Sequence, residues 1–182
     1  MRASVKKSSK TTILKEGRFF RFIKKDGWEY FERSNCTDIV IILAVTKNKK
    51  VIFIEQYRPP VGKNVIEFPA GLVNDAKDCK HESVAAGAKR ELFEETGYKA
   101  RKIIPILKGP SSSGSSADLV TMVRAVDIEK VGEGTGDGTE SIKVHEVPLA
   151  KVDQWLKSME KKGCLIEPKV YAGLYFLNKK KS

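Results

Sequence analysis

One acidic segment constrains this chain more than any other feature: Arg90-Glu91-Leu92-Phe93-Glu94-Glu95-Thr96-Gly97-Tyr98. Val84, Ala85, Ala88 and Leu92 recur at helical spacing ahead of it and within it. Gly97 suits the left-handed position that closes a helix, so the spacing predicts a helix over residues 82–96. On that helix Glu91 lies one turn from Glu94 and from Glu95, and their carboxylates share a face. Like charges this close repel unless something positive sits among them. Hard oxygen donors on one face suit magnesium, which takes carboxylates, waters and phosphate oxygens. The same cluster also suits a solvated helix face with an Arg90–Glu94 bridge, and the helix alone does not separate the two. Glu82 falls on the far side of an ideal helix from Glu91. It reaches the acidic face only if the helix begins at or after it.

The segments around the helix read as strands. Residues 18–23 and 28–33 flank Lys24-Lys25-Asp26-Gly27, and Asp-Gly between aromatic-rich alternating segments is a hairpin signal. Residues 39–46 and 51–57 read as a second hairpin, and 64–68 as a short strand ending at Pro69. Further strands are expected at 103–107, 118–126 and 142–147. A helix is expected at 149–161, with Val152, Trp155, Leu156 and Met159 on one face, and a last one at 170–178. Polar loops fill 109–116 and 132–139. Strands in hairpins with one central helix and terminal helices predict an α/β chain: a mixed sheet sandwiched by helices, with an N-terminal antiparallel β-hairpin sub-domain.

Composition narrows the class. Cys36, Cys79 and Cys164 are odd in number and far apart, which is neither a disulfide framework nor a zinc set and fits a reducing compartment. The longest apolar run, 39–45, is too short to cross a bilayer. Cytoplasmic localisation is the expectation, with the nucleus as an alternative. Residues 1–15 are basic and rich in Ser and Thr, with no acid before Glu16, so a mitochondrial presequence is a second alternative to a disordered basic tail. The net charge is +11. The lysines gather at the ends and in turns and are not interleaved with aromatics, so they read as solvated surface that would still draw anionic ligands toward a cleft, and not as a nucleic-acid stripe.

Glu82, seven residues, then Arg90-Glu91-Leu92-x-Glu94-Glu95-x-Gly97-Tyr98 resembles the Nudix box. Every fixed position after the signature's first glycine is met. That glycine matches Gly71, in Glu67-Phe68-Pro69-Ala70-Gly71, if the following loop carries a five-residue insertion; the alternative is that Ala76 replaces it. Gln56-Tyr57-Arg58-Pro59-Pro60, with Glu67–Leu72 and Glu94–Lys99, is similar to the ADP-sugar (ADP-ribose) pyrophosphatase branch, and the likeness runs over roughly residues 15 to 178.

The resemblance implies hydrolysis of the diphosphate of ADP-ribose or a related ADP-sugar, giving AMP and a sugar phosphate. It implies Mg2+, with Mn2+ as a substitute, held by Glu91, Glu95, the Ala70 carbonyl and Glu82. Glu94 assists and Arg90 orients the carboxylates. Arg58 would contact phosphate, as a bidentate guanidinium can, and Glu67 and Arg33 would line the substrate site. Trp28 would stack on adenine, with Phe19 or Phe20 near the opposing position, across a homodimer built from the N-terminal sheet. Without the family, Trp28 reads as sheet packing. The catalytic base would lie on a later loop, with Glu140 the first choice and Glu133 and Asp137 in reserve. The division expected is 1–14 a basic tail, 15–36 a dimerising β sub-domain and 37–182 the hydrolase domain. No membrane partner is implied. Rivals are a Nudix enzyme for another nucleotide (dinucleotide polyphosphate, oxidised nucleotide or RNA cap) and a non-enzymatic Nudix-fold binding protein. The serine-rich loop 109–117 departs from the branch, in which an acid is usual; here the first acid is Asp118.

Overall fold

The computed structural model describes residues 10–75, 81–134 and 141–179. The chain runs β1 (Thr12–Glu16), β2 (Phe20–Lys25), β3 (Trp28–Arg33), β4 (Asp38–Ala44), β5 (Lys50–Arg58), β6 (Lys63–Glu67), β7 (Ala70–Val73), α1 (Val84–Thr96), β8 (Tyr98–Pro110), β9 (Leu119–Lys130), β10 (Ile142–Pro148), a short 3-10 turn, α2 (Val152–Lys161), β11 (Leu165–Ile166) and α3 (Pro168–Asn178). Three sheets form among the described residues, with strand orders β1-β2-β3, β7-β4-β9-β8 and β10-β5-β6-β11.

The expected first hairpin is present. Lys25 pairs with Trp28, leaving Asp26-Gly27 as a two-residue turn with φ of 53° and 82°, the backbone that matches strand twist. It gains a third strand that pattern reading missed. β1 is exposed along its whole length, so it carries no alternation to read, and it overlaps the end of the stretch read as a tail.

The second expected hairpin is corrected. β4 and β5 do not pair along their lengths; only an isolated bridge joins Val45 to Val51. β4 instead lies between β7, antiparallel, and β9, parallel, while β5 lies between β10 and β6. The run Asp-Ile-Val-Ile-Ile-Leu-Ala is buried on both faces, as a central strand with a parallel neighbour must be. Alternate residues serve two cores. Ile41 and Leu43 meet Phe53, Phe68 and the apolar faces of α2 and α3, whereas Val40 and Ile42 meet Ala88 and Leu92 of α1. Burying those faces is what sandwiches the sheets between α1 on one side and α2 with α3 on the other. Strands β8 and β9 outrun the expected 103–107 and 118–126. β8 is a sheet edge, so Lys99, Arg101, Lys102 and Lys108 line it and dilute its apolar signal. Among the described residues no helix is long and apolar enough to cross a membrane.

Candidate functional site

Helix α1 starts at Val84, not at residue 82. Ser83 is its N-cap, its hydroxyl accepting from the Ala86 N–H at 3.2 Å. Glu82 is therefore outside the helix, and the loop turns it back to the acidic face. Asn74 holds it there: the Asn74 side-chain oxygen accepts from the Glu82 N–H at 2.6 Å, and the Asn74 amide donates to the Glu82 carbonyl at 3.2 Å. Gly97 closes the helix at φ 72°, its N–H donating to the Phe93 carbonyl at 2.8 Å.

Arg90 is the hub of the acidic face. Its Nε donates to Glu82 at 3.1 Å, Nη1 to Glu91 at 2.8 Å and to Glu94 at 3.0 Å, and Nη2 to the Leu72 carbonyl at 2.8 Å. Asp75 stands 3.5 Å from Nη2. Burial works against the charge on Arg90, but the Glu82 hydrogen bond and the Glu91 charge outweigh it and hold the guanidinium more firmly protonated than a free arginine. Glu82 grips Arg90 and does not line the cavity, whereas Glu91, Glu94 and Glu95 do.

The cavity is about 500 Å³ and is floored by Ala70 and Gly71 at the start of β7. The Ala70 N–H donates to the Glu95 carboxylate at 3.0 Å, so the strand and the buried end of α1 are tied together. A Cβ on Gly71 would meet the Glu91 carboxyl carbon at 1.9 Å, so only glycine lets that carboxylate lie against the strand. This is the behaviour expected of the signature's glycine; Ala76, the other candidate, lies outside the described residues.

The donor set fits a hard divalent cation. Three carboxylates line one wall, and two of them, Glu91 and Glu94, share Arg90. Burial pushes Glu91 up to about 7, and the charges of Glu94 and Asp75 add to this against the opposing pull of Arg90. A carboxylate so poorly compensated is one that a further positive charge would stabilise as the anion. Among the described residues no three acidic, His or Cys side chains converge on one point at metal-ligand distance, and the carboxylates of Glu91 and Glu94 turn to Arg90.

Away from the acidic face the lining residues pair cations with carboxylates. Arg58 ends β5 and clasps Glu67 of β6 through Nε at 2.9 Å and Nη2 at 2.8 Å. Burial holds the Glu67 carboxyl above the usual range against the Arg58 charge. Arg33 also lines the cavity, its Nε ion-paired with Asp118 at 3.4 Å and its guanidinium over the Phe20 ring at 4.5 Å. Trp28 is not brought into the cavity by its own chain. It is 63% exposed and overhangs the serine loop at Gly114, so it does not pack a core. Phe19 is exposed beside Arg18. Glu133 is exposed and pairs with Lys130 at 3.3 Å. Glu140 and Asp137 lie outside the described residues, although Gly132 and Gly134, just before them, abut the C-terminal end of α1.

Among the polar wall and support residues, Asn74, Asp75, Glu167 and Lys169 escaped the sequence reading. Asn74 and Asp75 sat in a segment readable only as a polar loop. Glu167 and Lys169 flank Pro168 at the start of α3, and they join the cavity through the pairing of β11 with β6. Pro168 announces a helix start, but nothing local announces which cavity that start would reach.

Comparisons with known proteins identify the family. A family model for the NUDIX domain matches residues 37–165. An uncharacterized Nudix hydrolase of Schizosaccharomyces pombe is 31% identical over 170 residues, covering 83% of this chain and 80% of that protein. The ADP-ribose pyrophosphatase of Bacillus subtilis is 31% identical over 122 residues, covering 66% of this chain and 63% of that protein. Of the Bacillus relatives it matches, this chain spans 62% and 63% of the length. A solved structure, an ADP compounds hydrolase, superimposes with a TM-score of 0.63 at 21% identity, over 81% of this chain and 80% of that one, and so shares its fold. With the signature glycine against Glu91 and the arginine hub on α1, these matches show that the chain belongs to the Nudix family.

Proposed function

We propose that the protein hydrolyses the diphosphate of ADP-ribose or a related ADP-sugar, with magnesium, to AMP and a sugar phosphate. The observation that carries this reading is the cavity itself, with Glu91, Glu94 and Glu95 against Ala70-Gly71 on one wall and Arg58 on the other. A diphosphate needs both walls: oxygen ligands to seat cations on one side and a guanidinium on the other. The name of the B. subtilis relative supports the substrate class.

Glu91 and Glu95, with the Ala70 carbonyl, would hold the metal, and Glu94 would assist. Magnesium, when bound, neutralises charge on the phosphate oxygens and acidifies water. Arg90 fixes Glu91 and Glu94, and Glu82 in turn fixes Arg90. Arg58 would orient the diphosphate. Glu140 takes a proton from water as the water oxygen bonds to one phosphorus, and the bridging P–O bond breaks with its electron pair leaving on the other phosphate. Arg33 and Trp28 would serve the adenosine end. Exposed Trp28, Phe19, Phe20 and Phe31 fit a homodimer in which residues 15–36 of two subunits enclose the base, leaving 37–182 as the hydrolase domain and 1–14 as a tail. A reducing compartment, the cytoplasm first, suits the unbridged Cys36 and Cys164. The test is product analysis with ADP-ribose, ADP-hexoses, GDP-mannose and capped RNA, with magnesium and with chelator. AMP and ribose 5-phosphate, formed only with the metal, are expected. Turnover of capped RNA alone would refute the reading.

A further inference from the structure

A second cavity, about 480 Å³, opens on the other face of the sheet that carries Arg58. Successive residues of a strand point to opposite faces. On β5, Arg58 reaches the cavity of the acidic helix, whereas Glu55 and Tyr57 line the second one. Lys143 of β10 lies opposite Glu55, and Asn64 of β6 lies opposite Tyr57, so both turn to that face. Helix α2 and the turn after it close the far side through Trp155 and Lys162. The proposed hydrolysis uses none of these residues except Arg58.

The floor of this cavity is a carboxylate. Glu55 is mostly buried, its side chain 13% exposed. Its Oε2 accepts from His145 Nε2 at 2.8 Å, and its Oε1 accepts from the Asn64 amide at 2.9 Å and the Cys164 thiol at 3.9 Å. Burial works against the charge, but the His145 and Asn64 bonds and the Lys143 charge outweigh it and hold Glu55 below the usual carboxylate range. A carboxylate offers about four acceptor positions, so Oε2 keeps room for a further donor. Lys143, at 3.9 Å, is too far to fill it. Trp155 backs His145 at 5.1 Å and stacks on Phe53 at 5.3 Å, so the floor is anchored to the core.

The rim carries the opposite charge. Lys63, Lys143 and Lys162 come from three separate elements, and Glu55 is the only acid among the described residues that line the cavity. Three ammonium groups against one carboxylate leave an excess of positive charge. A phosphomonoester carries about −1.5 to −2 at neutral pH and presents several acceptor oxygens, which ammonium donors match. Phosphate alone would satisfy the rim and repel the floor. A hydroxyl on the same molecule supplies the donor that Glu55 takes.

We propose that this cavity is a second ligand site, for a small sugar phosphate, with the phosphate on Lys63, Lys143 and Lys162 and a sugar hydroxyl donating to Glu55. The ligand lies across the sheet from the acidic helix and is bound without metal.

The experiment is calorimetry on the full chain with chelator present, so its outcome does not depend on catalysis. The probes are ribose 5-phosphate, inorganic phosphate and ribose. Ribose 5-phosphate should bind, and a variant combining Lys143→Ala and Lys162→Ala should weaken it roughly ten- to 100-fold, the scale of charged hydrogen bonds. A variant combining Lys99→Ala and Lys102→Ala removes the same charge from strand β8 and should change the affinity by less than about threefold, because distant charges are screened. Arg58→Ala, which alters the other cavity, should also stay within about threefold. Inorganic phosphate and ribose should each bind at least about tenfold more weakly than ribose 5-phosphate, each lacking one set of bonds. No binding of ribose 5-phosphate, or equal binding of inorganic phosphate, would overturn the proposal. So would equal losses in the two double-lysine variants, or a loss in Arg58→Ala that the Lys143 and Lys162 variant does not show.

Discussion

Gly71→Ala isolates the geometry of the acidic wall from its charge. The added Cβ would sit 1.9 Å from the Glu91 carboxyl carbon and 2.2 and 2.3 Å from its two oxygens. Carbon atoms in contact stand about 3.5 Å apart, so the carboxylate must retreat by about 1.5 Å. What moves is the far end of a flexible side chain, not backbone. Glu91 loses its 2.8 Å bond from Arg90, but Arg90 keeps Glu82, Glu94 and the Leu72 carbonyl. The stability loss should stay below about 2 kcal/mol, the scale of one partly replaceable charged hydrogen bond. Activity should suffer far more, because a misplacement of about 1 Å at a reacting centre costs about 100-fold. The assay is kcat on ADP-ribose at saturating magnesium, beside a thermal melt. Turnover within about threefold of normal would show that Glu91 is not where the chemistry happens. A collapse of the melt would show that the clash is not absorbed by the side chain.

Glu91→Gln and Glu95→Gln should each keep the fold and lower kcat by about 10² to 10⁴, because each removes a charged oxygen ligand; near-normal turnover in both would remove the metal role. Stability of the metal-free protein should fall with rising pH. The folded pKa of Glu91 is about 7 against 4.5 for the free group, so its protonated form favours the fold, fully below about pH 4.5 and progressively less as pH rises through 7. The loss is at most about 3 kcal/mol; melts from pH 4.5 to 8 should show the slope, and Glu91→Gln should flatten it. Trp28→Ala should raise KM for ADP-ribose about five- to 150-fold with little change in kcat if Trp28 stacks on the base; an equal loss on a base-free diphosphate would place Trp28 outside the site. Light scattering at micromolar concentration should give a mass near twice 20.3 kDa, and a clean monomer would sink the shared-site model.

Much of this protein was legible before folding. The helix from Arg90 to Gly97 carries its periodicity, its acidic face and its C-cap within one short stretch, so local spacing suffices to read it. The Asp26-Gly27 turn is local in the same sense, since two residues set both φ angles. What tertiary structure alone decided involves partners far apart in the chain. Nothing between residues 39 and 57 says that β4 and β5 belong to different sheets; that follows from burying both faces of β4, which needs β7, β9 and the helices together. The loop that returns Glu82 to Arg90 depends on Asn74, eight residues away and unmarked by any pattern. Glu167 and Lys169 reach the cavity only because β11 docks beside β6, about a hundred residues earlier in the chain. Side chains one turn apart on a helix meet whatever the rest of the molecule does, whereas side chains on separate elements meet only where burial of their apolar faces brings those elements together.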